Sequence, residues 1–230
     1  PISAARQEAN APSAWTVRQA LMVTAQPLDG ATFVDEGTGL PSLPRAWAWM
    51  RGRADVPHLS VTTPAGTSAV LVDGGSEGGK MAAAQFVLRR DAGKGAARAP
   101  MPLRFRSSAA WLEAPAPVSL GAEPVTVEAR LTAASLTRPG VYVGVVSGWT
   151  TDTLAGPLVR LVTTVVVPYR DSDIALKQIR IATSQWVRVP FAVDSAQPFT
   201  VHVASGAASP PLAYLFEPGG MPYRDNNSRP

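Results

Sequence analysis

The sequence predicts a mainly β chain, with tandem β-sandwich modules preceded by a short helical segment. Three observations carry this expectation. Glycine and proline are abundant, 19 and 22 of 230 residues, which favours many turns and short strands and argues against a helical bundle. Helical spacing of apolar residues is confined to the stretch before residue 51. Several later stretches alternate apolar and polar residues at the period of a half-buried strand.

The spacing of Trp15, Val17, Leu21, Met22 and Ala25 predicts a helix over 12–26. Ser13 is its expected N-cap, and Gln26 before Pro27 ends it, because a residue preceding proline avoids the α region. Asp29-Gly30 predicts a turn and Gly37-Thr38-Gly39 a flexible crossing. A second helix is expected over 42–50, with Ser42 as cap and Leu43, Ala46, Trp47 and Met50 on one face. Residues 73–80 and 91–100 then read as Gly-rich loops, and 86–90 and 102–106 as short strands. Val125, Val127, Ala129 and Leu131 alternate with Thr126, Glu128, Arg130 and Thr132, a strand with one wet face. In Arg138-Pro139-Gly140-Val141 the Pro-Gly pair has the pattern of a type II turn. The uncharged run 141–149 suits a central strand, and 158–167, closed by Pro168, a third strong one. Four further candidates follow at 175–182, 185–191, 199–204 and 212–216.

The implied organisation is a helical segment at 1–52, a linker with first strands at 53–101, an immunoglobulin- or fibronectin-like sandwich at 102–169, and a second, incomplete β module at 170–230.

Chemistry is sparse. The absence of cysteine excludes disulfides, thiolate metal sites and a cysteine nucleophile. The two histidines, His58 and His202, stand alone with no metal-ligand spacing, so no metal and no cofactor is expected. The net charge is +4, but the arginines are scattered, which argues against a nucleic-acid partner. Arg104 and Arg106 share a strand face, expected to be solvated. No window approaches the ~18 apolar residues of a membrane helix, so no membrane partner is expected. Gly66-Thr67-Ser68 matches a nucleophile triplet of serine peptidases, with His58 and Asp73 nearby in sequence. Its continuation, Ala-Val-Leu-Val-Asp, reads as a strand, so a loop-to-strand transition is the simpler reading. The run from Gly74 to Lys80 lacks the Ser/Thr ending and following helix of a phosphate loop. Trp111, Trp149 and Trp186 suit a sandwich core or edge. No catalytic, cofactor-binding or metal-binding residue is assigned.

Two motifs carry a family resemblance. The stretch Pro12-Ser13-Ala14-Trp15-Thr16-Val17-Arg18-Gln19-Ala20-Leu21-Met22-Val23-Thr24-Ala25 resembles the Ser/Thr-Pro-x-x-Val-Arg-x-Ala-Leu-x-x-Thr-Ala helix of subtilisin-like (S8) serine peptidases, with the first two residues reversed. Gly37-Thr38-Gly39-Leu40 and Ala46-Trp47 are similar to the turn and helix that close that family's catalytic domain. Leu136-Thr137-Arg138-Pro139-Gly140-Val141-Tyr142 and the run from Gly156-Pro157-Leu158-Val159-Arg160 to Pro168 resemble the tripeptidyl-peptidase II family, with Val162 in place of an inner proline. The resemblance implies a helical remnant of an α/β catalytic domain followed by the family's β-sandwich. It also implies an Asp/His/Ser triad upstream of Pro1, with residues 1–11 leaving the nucleophile helix.

The expected function is therefore a noncatalytic C-terminal segment of a subtilisin-like peptidase, with a bracing or assembly role. The parent would hydrolyse peptide bonds. Partners would be the upstream catalytic domain, the parent's peptide substrate and possible homo-oligomer copies. Residues 12–50 would carry apolar faces shaped for an absent sheet. A stand-alone β-sandwich binding module is the alternative, and a hydrolase using Ser68 a third reading. The compartment is left open, with a lean to a bacterial secreted or cell-envelope setting.

Overall fold

Ser13 starts the first of the described helices, as expected. In the computed structural model, which describes residues 12–29, 31–51, 57–74, 83–90, 99–170, 174, 176, 181, 187–193, 198–204 and 212–216, the Ser13 hydroxyl accepts the Thr16 backbone N–H at 3.1 Å and caps α1 (Ala14–Thr24). A one-turn helix, α2 (Phe33–Glu36), follows. It is too short for a periodicity signal and is specified by a capping box: the Thr32 N–H donates to Asp35 Oδ2 at 2.8 Å. The third helix, α3 (Leu43–Met50), has proline in its first turn and Ser42 at the N-cap position without a side-chain cap bond.

A paired bridge between Gln26 and Leu40, with N–H···O distances of 2.9 and 2.8 Å, folds α3 back onto α1. Gly39 is needed at that crossing. Its φ is +99°, and a Cβ there would lie 2.2 Å from the Gln26 carbonyl oxygen.

Among the described residues nine strands follow: β1 (Leu59–Thr62), β2 (Ala69–Asp73), β3 (Ala83–Arg90), β4 (Met101–Ser107), β5 (Leu112–Glu113), β6 (Val118–Leu120), β7 (Val125–Leu131), β8 (Gly140–Trp149) and β9 (Val159–Val167). They form two sheets, ordered β1-β3-β7-β5 and β2-β9-β8-β4-β6. The chain is mainly β. The central position of β8 and the alternation of β7 both follow the sequence pattern; Val127 and Ala129 are buried while Thr126, Glu128 and Arg130 are exposed.

The core lies between the sheets. Phe86, Leu88, Val127, Ala129 and Leu112 of one sheet pack with Leu103, Leu120, Val146, Val159 and Leu161 of the other. Each large apolar side chain removed from water contributes roughly 1.5–3 kcal/mol. Glycines set the spacing on β8. A Cβ at Gly148 would lie 2.4 Å from Val159 Cγ2, and one at Gly144 would lie 2.8 Å from Leu112 Cδ2. Trp111 lies against this core, edge-on to Tyr142 with ring centroids 6.3 Å apart.

Three findings differ from the sequence expectation. The sandwich starts at Leu59 rather than at residue 102, because β1, β2 and β3 are built into it between the Gly-rich stretches. One of them, β2, pairs in parallel with β9, a long-range contact that local alternation does not encode. Gly140 opens β8 opposite Val167 with φ of 159°. That is extended backbone, far from the roughly +80° of a type II turn; the Tyr142 hydroxyl instead donates to the Arg138 carbonyl at 2.8 Å.

The chain divides into compact units at residues 1–192 and 193–230. Where four further strands were expected, the described residues form single bridges, at Phe191 and Phe216, and no ladder. Phe199, Val201 and Val203 alternate as a strand would, but all three are exposed. Most of 175–182 and 185–186 lie outside the described residues.

Phe86→Ala is expected to lower unfolding stability by about 3–5 kcal/mol, measured by denaturant titration. Gly148→Ala is expected to cost about 1–3 kcal/mol by overpacking; an unchanged midpoint would refute the close approach at β8.

Candidate functional site

The helical segment meets the sandwich at the loop between β8 and β9. Asp152 shapes this loop, its Oδ1 accepting the N–H groups of Leu154 and Ala155 at 3.0 and 3.3 Å and capping a short 3₁₀ turn at Thr153–Ala155. Gly156 then turns with φ of +73°, and a Cβ on it would lie 2.5 Å from both methyl groups of Val23 on α1. Beside it the Gln19 side-chain amide donates to the Pro157 carbonyl at 2.6 Å. Gln19 is only 1% exposed. Burial without a partner would cost this amide several kcal/mol by ~2–7 kcal/mol transfer estimates, so the bond fixes where α1 sits.

Two indoles extend the junction. Trp49 Nε1 donates to the Leu154 carbonyl and Trp15 Nε1 to the Pro57 carbonyl, both at 3.0 Å. Thr16, Gln19 and Ala20 of α1 and Ala46 of α3 are all buried. This corrects the expectation that residues 12–50 carry faces awaiting only an absent sheet: the buried face of α1 is bonded to the sandwich. Leu28, Val34, Leu40 and Leu43 do remain exposed.

A second tie runs through α2, which lies against β8. Asp35 Oδ1 is ion-paired with Arg188, while its Oδ2 accepts from the Thr32 N–H and hydroxyl. The Arg188 contact, followed by the Thr32 bonds, lowers the Asp35 pKa from 3.8 to about 2. Two backbone bonds, Tyr169 N–H to Pro190 at 2.9 Å and Ala192 N–H to Tyr169 at 2.8 Å, anchor the Arg188 segment beside the end of β9. Sequence reading missed α2 and this ion pair. The Thr32-x-x-Asp35 spacing was the available signal for the first, and nothing local marks the second.

The sequence-level candidates are dispersed. Ser68 is exposed at the start of β2 and Asp73 ends that strand, about 16 Å away at ~3.3 Å per residue, far beyond a triad's reach. His58 packs on Trp15 with ring centroids 4.2 Å apart. His202 is exposed in the second unit. Gly74 donates to the Val166 carbonyl at 2.8 Å as β2 ends, and residues 75–80 lie outside the described residues, as does Trp186. Trp149 is half-buried opposite Arg104. Among the described residues there is no cluster of three or more metal-ligating side chains and no helix long and apolar enough to cross a membrane.

Gln19→Ala is expected to speed amide exchange in α1 and to cost about 1–3 kcal/mol, the penalty of an unsatisfied buried carbonyl, while protection of β7 stays unchanged. Because folding lowers the Asp35 pKa, its stabilising effect is complete above pH 3.8 and is lost as pH falls through about 2. Arg188→Ala is expected to move the Asp35 titration, followed by carboxyl NMR shifts, up toward 3.8. A stationary midpoint would assign the depression to Thr32 alone.

No family model matches the chain, and no curated protein matches it in sequence. Among solved structures it is similar to a crystal structure of tripeptidyl peptidase 2 (TPP II), with a TM-score of 0.61 and 20% identity over 75% of this chain. The chain spans 15% of the length of that protein. A periplasmic chaperone, SfaE, aligns over 47% of this chain and 56% of its own, at 11% identity and a TM-score of 0.30, too low to bear on the fold. The chain therefore shares the fold of a region of tripeptidyl peptidase 2.

Proposed function

We propose that this chain is a noncatalytic segment of a subtilisin-like serine peptidase of the tripeptidyl-peptidase II type. Its role is to brace the helical end of the catalytic domain against a β-sandwich. One observation carries the reading. The helix with the subtilisin-like motif and the loop with the tripeptidyl-peptidase II-like motif, far apart in sequence, are in contact: Gln19 bonds Pro157, and Val23 abuts Gly156. The likeness in fold to a region of tripeptidyl peptidase 2 supports the same reading.

On this reading the sandwich contributes rigidity. The catalytic domain supplies nucleophile, base and oxyanion donors, and peptide is the substrate of the parent. The junction holds the helical segment at a fixed angle to the sheets, so a strain at either end is transmitted to the other.

A serine-directed fluorophosphonate is expected to leave this chain unlabelled. The product of the reading frame extended upstream is expected to be labelled at a serine preceding Pro1, in a Gly-Thr-Ser-Met setting. A stop codon directly before Pro1, or labelling of Ser68, would overturn the proposal.

A further inference from the structure

The outer face of the five-stranded sheet carries a row of cations. Leu103, Val146, Val159 and Leu161 point into the core, so their neighbours in sequence point outward. Across the β4–β8 ladder Arg106 stands opposite Ser147, and Arg104 opposite Trp149. Across the β8–β9 ladder Ser147 stands opposite Arg160. Directly opposed residues share a face, with Cβ atoms ~4.5–5.5 Å apart. Arg106, Ser147 and Arg160 therefore form one line over three adjacent strands, with Arg104 and Trp149 beside it.

Among the described residues the row has no counter-charge. Among the described residues no carboxylate pairs with Arg160, and burial alone acts on its guanidinium, lowering its pKa. The helix α2, which lies against β8, brings two acids, but both are engaged elsewhere. Asp35 holds Thr32 and Arg188, and Glu36 Oε2 accepts the Leu28 N–H at 2.7 Å. Arg104 and Arg106 are exposed, and Ser147 is half-buried.

We propose that Arg106, Ser147 and Arg160 form a binding site for a carboxylate of an acidic peptide segment, with Arg104 and Trp149 as its flank. Two guanidinium forks about a serine hydroxyl match the planar, two-oxygen geometry of a carboxylate. A singly charged group suits the site because desolvation cost rises steeply with charge, and Arg160 lies partly out of water. The inference is independent of the peptidase reading, since the row belongs to the sandwich alone.

The test uses the whole 230-residue chain and a fluorescein-labelled tetraglutamate peptide, followed by fluorescence anisotropy. Saturable binding is expected, weakening as salt is added. Arg106→Gln and Arg160→Gln are each expected to weaken it about tenfold or more, the loss of one charge-assisted contact. Arg138→Gln, on an exposed loop at the other end of β8, is expected to leave it unchanged. Arg106 is exposed, so its variant carries the test if Arg160→Gln fails to fold. Absence of saturable binding, or an equal loss in Arg138→Gln, would overturn the site. Acetate is expected to displace the peptide in competition, and equal displacement by inorganic phosphate at a tenth of the acetate concentration needed would overturn the carboxylate assignment.

Discussion

The first helix is held to the sandwich by a buried amide, which the Trp15 and Trp49 indoles and the Asp35–Arg188 pair supplement. Gln19 sits on the inner face of α1, where an apolar residue would ordinarily be expected, and its side chain reaches the carbonyl of Pro157. Proline has no N–H and leaves its carbonyl as the one backbone group to be satisfied there. Gly156 makes the contact possible, since no larger residue fits against Val23 at a positive φ. The glutamine, the proline and the glycine are thus mutually dependent. The bridge at Gln26 and Leu40 then carries the same orientation into α3.

The sandwich itself follows a different logic. Small residues at Gly144 and Gly148 let β8 sit close under Trp111, Leu112 and Phe105, so packing is close along the centre of the larger sheet. At the same level Thr163 is fully buried between β2 and β8, and its hydroxyl has no hydrogen-bond partner. A β-branched residue of valine's shape there satisfies packing at the expense of a polar atom. The outer side of β8 and β9 is mixed, with Ser147 and Arg160 at one end and Val143, Val145 and Val162 further along the same face.

Local rules were legible and long-range ones were not. The Ser13 cap, the end of α1 before Pro27, the alternation of 125–131 and the central strand over 141–149 are all written within a few residues of where they act. The parallel β2–β9 pairing is not, because Ala69–Asp73 reads identically whichever partner it meets. Gly140 illustrates the opposite failure. Its Pro-Gly signature is a sound local rule, but pairing with Val167 pulls the residue into a strand. The docking of Gln19 was invisible for the same reason as β2, since a buried glutamine on a helix announces a partner without naming it. The cation row needed the register of three strands, so the shared face of Arg104 and Arg106 was visible while Arg160 beside it was not.

The parallel pairing also orders events in time. Ala69 must wait for Val162, and every residue of the intervening chain must emerge from the ribosome before the edge of the larger sheet can close. Until then β2 has no neighbour, and β8 lacks the strand that separates it from β2. The four-stranded sheet has no such dependence, since β1, β3, β7 and β5 are all complete by Leu131. Synthesis therefore delivers one finished sheet and one that is held open to the last strand, and contacts of such long sequence separation are the slow ones to form.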